Sequence, residues 1–325
     1  MNRLRPTGLQ HLVVALVLLF LVPSCSIRKM AMNSVADVLS EPGGEEVFSG
    51  DNDPELVADA LPFAIKLYES LLNSLPSHRG LRLRTGSLYI MYANAFLQNP
   101  ADMMTEAEYR AQEFLYRRAK NLYLRGRDII LVALEARNPG FRSHLREKRF
   151  GRALDPLTRE DVPFLYWAAA GWLGAFAIDP FDMRLMITVP RAAAMMGRVE
   201  ALNPGFRDGA VHDFYTLYYG SLPEYMGGDL EKARSHFEKA VALSRNRAAG
   251  PYLSLATTVC VKQQDRDTFK KMLNRAVEID PDADPDNRLI AILNQRRARW
   301  LLAHVDHLFL ESEVEEPHET EEKQR

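Results

Sequence analysis

Two stretches of this chain are near copies of each other. Leu134-Glu135-Ala136-Arg137-Asn138-Pro139-Gly140-Phe141-Arg142 is restated as Val199-Glu200-Ala201-Leu202-Asn203-Pro204-Gly205-Phe206-Arg207. A proline that follows a helical pattern ends it, because proline has no N–H to donate and crowds the preceding turn. The repeat is therefore one structural corner used twice, and Leu72-Asn73-Ser74-Leu75-Pro76 and Val277-Glu278-Ile279-Asp280-Pro281 end helices in related ways. Recurring corners of this kind point to stacked helical hairpins.

Between the corners the hydrophobic residues follow the helical period, and no apolar alternation bounded by hairpin turns occurs. The expected class is all-α, an irregular tetratricopeptide-like solenoid of helical hairpins with a capping helix at the C-terminal end. Start signals agree: Asp53-Pro54-Glu55 supplies a cap, a first-turn proline and a first-turn acid, Thr105 to Glu108 forms a capping box, and Asp284-Pro285 opens another helix. The pattern predicts pairs at 29–40 with 54–75, 84–98 with 105–136, 160–177 with 189–202, 208–221 with 229–243, and 250–263 with 266–279. Residues 285–310 cap the array. The clearest hairpin carries Ala233, Phe237 and Ala240, the small and aromatic spacing of the second tetratricopeptide helix. Phe269, Leu273, Ala276 and Pro281 follow it more loosely.

The N-terminus reads as a leader. Arg3 and Arg5 precede an unbroken apolar run from Leu12 to Val22, too short for the roughly 20 residues that span a bilayer. Leu21-Val22-Pro23-Ser24-Cys25 is similar to a bacterial lipobox, with Pro23 where a small residue is usual, and marks Cys25 as the lipidation site. The expected divisions are a signal peptide over 1–24, a lipid-anchored segment over 25–50, a helical domain over 51–310 and an acidic disordered tail over 311–325. Seven glutamates fall in that tail. With Cys25 acylated, Cys260 has no intramolecular disulfide partner.

Chemistry is sparse. There are 41 Lys plus Arg against 43 Asp plus Glu, so no basic excess draws nucleic acid. No H-E-x-x-H, G-x-S-x-G, Walker loop or G-x-G-x-x-G occurs, and no catalytic residue, metal site or cofactor is expected. His304 and His307 flank Asp306, but two imidazoles at a helix end read as solvated. His212-Asp213 lacks a nucleophile partner.

Aromatic side chains gather on the first helices of successive pairs: Tyr89, Tyr92 and Phe96, then Trp167 and Trp172, then Tyr215 and Tyr219. Tyr89, Tyr92 and Phe96 share one helix face. Two readings fit this stripe, a packed core and an apolar cavity in which tyrosine hydroxyls orient a small organic ligand. Gly171 and Gly174 beside the tryptophans each cost about 1 kcal/mol relative to alanine in a helix, which close approach of another helix or a ligand would explain.

Asp51-Asn52-Asp53-Pro54-Glu55-Leu56 through Ala60-Leu61-Pro62-Phe63, Lys66 to Leu72, Tyr92-Ala93-Asn94-Ala95-Phe96, Gly227-Gly228, Ala233-Arg234, His236-Phe237 and Arg297 to Leu302 together resemble the TatT family. These are tetratricopeptide-repeat lipoproteins associated with TRAP (tripartite ATP-independent periplasmic) transporters. The resemblance implies a periplasmic protein held to the inner or outer membrane by lipid on Cys25. It further implies self-association, commonly as trimers, and binding to the transporter's solute-binding protein. The alternative reading is a tetratricopeptide lipoprotein that scaffolds envelope assembly.

Overall fold

The computed structural model describes residues 24–41 and 46–310. The apolar leader run and the acidic tail lie outside those residues. Helix is the sole regular secondary structure among the described residues, and they divide into two compact units. The first comprises the described part of Met1–Phe206 with Pro285–Ile290, and the second comprises Arg207–Asp284 with the described part of Ala291–Arg325.

The first unit contains α1 (Ser24–Ser40), α2 (Pro54–Ser74), α3 (Arg79–Ala93), α4 (Tyr109–Arg137), α5 (Val162–Ile178) and α6 (Val189–Leu202). Helix α2 starts where the sequence places it: the Asp53 carboxylate accepts from the Leu56 N–H at 3.0 Å, and Pro54 occupies a first-turn position that needs no donor. Its inner face, Val57, Leu61, Ile65, Tyr68 and Leu72, is buried, and the cluster it joins includes Leu81, Leu88 and Tyr89 of α3. The Tyr68 hydroxyl donates to the Leu39 carbonyl of α1 at 3.0 Å. Before α4, the Glu108 carboxylate reaches back to the Thr105 N–H at 3.1 Å, as the capping box requires.

Glycines set how closely these helices cross. A Cβ on Gly86 would stand 2.7 Å from the Gly126 carbonyl oxygen, and one on Gly126 would stand 2.5 Å from the Gly86 oxygen, so α3 and α4 touch backbone to backbone. A Cβ on Gly171 of α5 would lie 3.0 Å from the Tyr123 oxygen of α4, and one on Gly174 would strike the Tyr123 ring. The close approach expected from Gly171 and Gly174 is therefore to neighbouring helices.

The second unit contains α7 (Ala210–Ser221), α8 (Leu230–Leu243), α9 (Gly250–Leu255, continuing through a π turn at Ala256–Cys260) and α10 (Arg266–Glu278). It also holds most of α11 (Arg288–Ala303). Asp229 caps α8 through the Lys232 N–H at 3.0 Å. Ala233 and Ala240 are buried, while Phe237 packs edge-on against Tyr252 with centroids 5.5 Å apart. The Lys262 ammonium donates to the Gly220 and Leu222 carbonyls at 2.9 and 2.8 Å, satisfying the orphan acceptors at the end of α7. Phe269, Leu273 and Ala276 of α10 are fully buried, and Phe269 meets Phe309 edge-on at 5.0 Å. Cys260 is buried, and its thiol is pushed up to about 11 by burial and by the Asp265 carboxylate, which keeps it protonated at neutral pH.

Short helices at Phe141–Arg146, Phe150–Leu154 and Met183–Met186 were not anticipated. Four to six residues are too few to show a period of 3.6.

Candidate functional site

The aromatic stripe divides between the two units. In the first, Tyr89 is buried under the Arg125 guanidinium, 4.9 Å from its ring, with Glu69 beside its phenol. Burial raises the Tyr89 pKa, and the neighbouring carboxylate raises it further, so the phenol stays protonated. Tyr92 and Phe96 are half-buried and in ring contact at 5.8 Å. A π turn over Asn94–Gln98, which contains Phe96, interrupts the α-helix two residues after Tyr92, a feature often found at functional sites. Trp167 packs edge-on against Tyr166 at 5.6 Å, and Tyr166 in turn meets Phe206 at 5.2 Å.

Trp172 is buried between two arginines, with the Arg127 and Arg191 guanidinium carbons 4.6 and 6.0 Å from its ring. Its indole N–H donates to the Thr188 hydroxyl at 2.7 Å, and that hydroxyl donates to the Leu185 carbonyl at 2.6 Å. Trp172 thereby fastens one end of the α5–α6 connection. Lys120 fastens the other end, with its ammonium 2.7 Å from Asp179 and 2.9 Å from Asp182.

In the second unit, Tyr215 and Tyr219 stack on successive turns of α7 with centroids 5.5 Å apart. His236 of α8 closes on them, 4.8 Å from Tyr215 and 5.7 Å from Tyr219. His212 joins the group: its Nδ1 lies 3.0 Å from Nδ1 of His236. One ring donates in this contact and the other accepts, so the contact cannot form with both imidazoles charged. Burial, with His212 and Lys239 nearby, lowers His236 to about 4. One residue on, burial pushes Asp213 up to about 6 despite a hydrogen bond from the Ser254 hydroxyl.

Sequence reasoning missed this imidazole pair. The hairpin was a partial signal only: pairing α7 antiparallel with α8 brings the first turn of one toward the later turns of the other, without marking which residues meet. A polar recess of about 180 Å³, lined by Asn246, Tyr252, Arg275, Glu278, Ile279 and Asp280, contains none of the stripe residues. Near the C-terminal end, His304 stacks on Trp300 at 4.2 Å and Asp306 pairs with Arg266.

Residues 50–309 match the family described as TRAP transporter T-component. The chain belongs to that family. It is also 40% identical over 306 residues to an uncharacterized protein of Treponema pallidum (strain Nichols), covering 90% of this chain and 95% of the relative. The matched range takes in the Asp53 cap, all seven aromatics of the stripe and the imidazole pair. A T-component is a part of a transport system.

Proposed function

We propose that this T-component is a periplasmic, lipid-anchored subunit that docks the transporter's solute-binding protein and holds or passes an apolar organic ligand along its aromatic side chains. The observation that carries the proposal is the family match across residues 50–309. Cys25, at the start of α1 and directly after the apolar leader, is the anchoring residue in this reading. Tyr92 and Phe96, half-buried around a π turn, are the stripe members best placed to meet a ligand. Self-association, as trimers in this reading, leaves surface for the partner, since a stable interface takes about 800 Å² from each side.

Sedimentation of the mature chain with a candidate solute-binding protein of the same transport system tests docking: a co-sedimenting complex is expected. A strictly monomeric species that never co-sediments, with or without solute, overturns the reading and favours an envelope scaffold. For the anchor, Cys25→Ala should abolish lipid labelling and release the protein from membranes. Persistent membrane association of both forms, without processing, would make the leader an uncleaved anchor instead.

A further inference from the structure

The gap between His212 and His236 has the width of a pair of metal ligands. Their Nδ1 atoms stand 3.0 Å apart, one on the first turn of α7 and the other midway along α8. Two nitrogens bound to one Zn²⁺ at about 2.0–2.1 Å are about 3.3 Å apart in a tetrahedron and about 2.9 Å apart at a right angle, so one ion fits between these rings after a small shift. Packing holds the rings in place. His212 is buried, the two imidazole centroids lie 5.2 Å apart, and His236 also rests on Tyr215 and Tyr219. With its pKa lowered to about 4, His236 is uncharged at neutral pH, the form that binds metal. Lys239 contributes to that lowering; it is exposed, so solvent screens its repulsion of a bound cation.

We infer that His212 and His236 chelate one divalent transition-metal ion of the Zn²⁺ class through their Nδ1 atoms, stapling α7 to α8. Imidazole nitrogens select this class over Mg²⁺ and Ca²⁺, which take oxygen ligands. The proton that one ring holds at Nδ1 passes through solvent to Nε2 of the same ring, so both imidazoles stay neutral and no net proton is released. Water or other oxygen donors complete the shell. Because the ligands sit on two helices of one hairpin, an ion bound to both stabilises the folded second unit and has no equivalent site in the unfolded chain. A hydrogen bond alone is the competing account of the contact, and it predicts no response to metal. The inference concerns the second unit and is independent of the docking reading.

The test uses the mature chain without an affinity tag, freed of metal by dialysis against a chelator and titrated with Zn²⁺ by calorimetry. One ion per chain is expected. At about a hundredfold excess over Kd the melting temperature should rise by about 5 °C, and Mg²⁺ should leave it unchanged. His212→Gln and His236→Gln should each abolish saturable binding, while His307→Gln, which removes an exposed imidazole beside His304, should leave it intact. X-ray absorption of the Zn²⁺-loaded wild type, which no folding defect of a variant can confound, should show two imidazoles in the shell. A wild type that binds no Zn²⁺ saturably, or a shell without two imidazoles, overturns the inference. Binding that survives in both His212→Gln and His236→Gln, or that is lost in His307→Gln, places the ion elsewhere and overturns it as well.

Discussion

The corners at Asn138 and Asn203 begin alike and continue differently. In each, the asparagine N–H returns to the helix, to Leu134 at 2.9 Å and to Val199 at 2.8 Å, and the phenylalanine N–H donates to the asparagine carbonyl, at 3.0 and 3.1 Å. Beyond that turn they diverge. Gly140 takes φ 86° and ψ 4°, the left-handed position of a type II turn, and a short helix Phe141–Arg146 follows directly. At the second corner Gly205 stays out of the left-handed region, which is occupied instead by Arg207, Asp208 and Gly209. Phe141 is completely buried, whereas Phe206 is half-buried against Tyr166. The Asn-Pro-Gly-Phe sequence thus sets the turn, while the packing available to its phenylalanine sets where the chain goes next. The boundary between the two compact units falls just after the second corner, at Phe206–Arg207.

The sharpest way to break this comparison is to truncate both phenylalanines. Phe141→Ala should destabilise by about 3–5 kcal/mol, the range for a buried ring, and Phe206→Ala by about 1 kcal/mol, both read from urea unfolding. Equal losses would mean that the second corner is as well packed as the first.

Next in size is the helix that the second corner launches. The raised pKa of Asp213 means the folded chain holds more protons than the unfolded chain between about pH 4 and 6. Its contribution therefore falls as pH rises through that window and is a full penalty above it. Asp213→Asn should raise stability at pH 7 by about 2 kcal/mol and change little near pH 4. His236 has the opposite sign, since with a lowered pKa it binds protons less readily when folded, so its contribution is lost as pH falls from 6.5 toward 4. The two offset each other in the wild type. Thermal melts against pH should show a steeper acid loss in Asp213→Asn, and identical profiles would argue against a buried carboxyl.

The glycines sharpen the comparison further. Gly209 has φ 95°, and a Cβ there would lie 3.0 Å from Leu243 Cβ, so Gly209→Ala should cost about 2 kcal/mol from strain and crowding together. At Gly140 the added carbon meets only ordinary contacts, leaving a strain of about 1 kcal/mol. Gly205→Ala should be neutral, for nothing lies within 4 Å of its Cβ. Melting temperatures falling in that order would support the assigned conformations.

A pH-dependent effect of about the size expected at Gly140 concerns Glu135, whose carboxylate accepts from the Gly140 and Arg142 N–H groups at 2.8 Å each. Burial is the largest single influence and would raise its pKa, but the two bonds together with the Arg142 and His144 charges lower it overall. Glu135→Gln should lose about 1 kcal/mol above pH 5, a difference that fades as pH falls through the lowered pKa and the wild-type carboxylate itself protonates.

Much of the architecture is legible before any packing is known. Asp53 and Thr105 signal helix starts through side chains that reach only a few residues, and Pro76, Pro139 and Pro204 signal ends through steric effects at the adjoining residues. The helices they delimit agree with those observed to within a few residues at most ends, but the first expected pair does not form, because α1 packs chiefly on α3 rather than on α2. The aromatic stripe was legible as a pattern on helix faces, but its division between two units was not. His236 was legible only as a residue on α8, because nothing in the chain marks which residue of α7 it will face.

Helix starts, stops and amphipathic faces were determined by the sequence itself, since each depends on atoms within about one turn of the residue concerned. Tertiary structure alone decided the backbone contact of Gly86 with Gly126, the His212–His236 pair and the bridging of Asp179 and Asp182 by Lys120. Each joins residues 24 to 62 positions apart, where neither period nor capping carries information. A glycine, a histidine or a lysine on a helix face looks the same locally whether it meets solvent or another helix, and only the packed neighbour distinguishes the two.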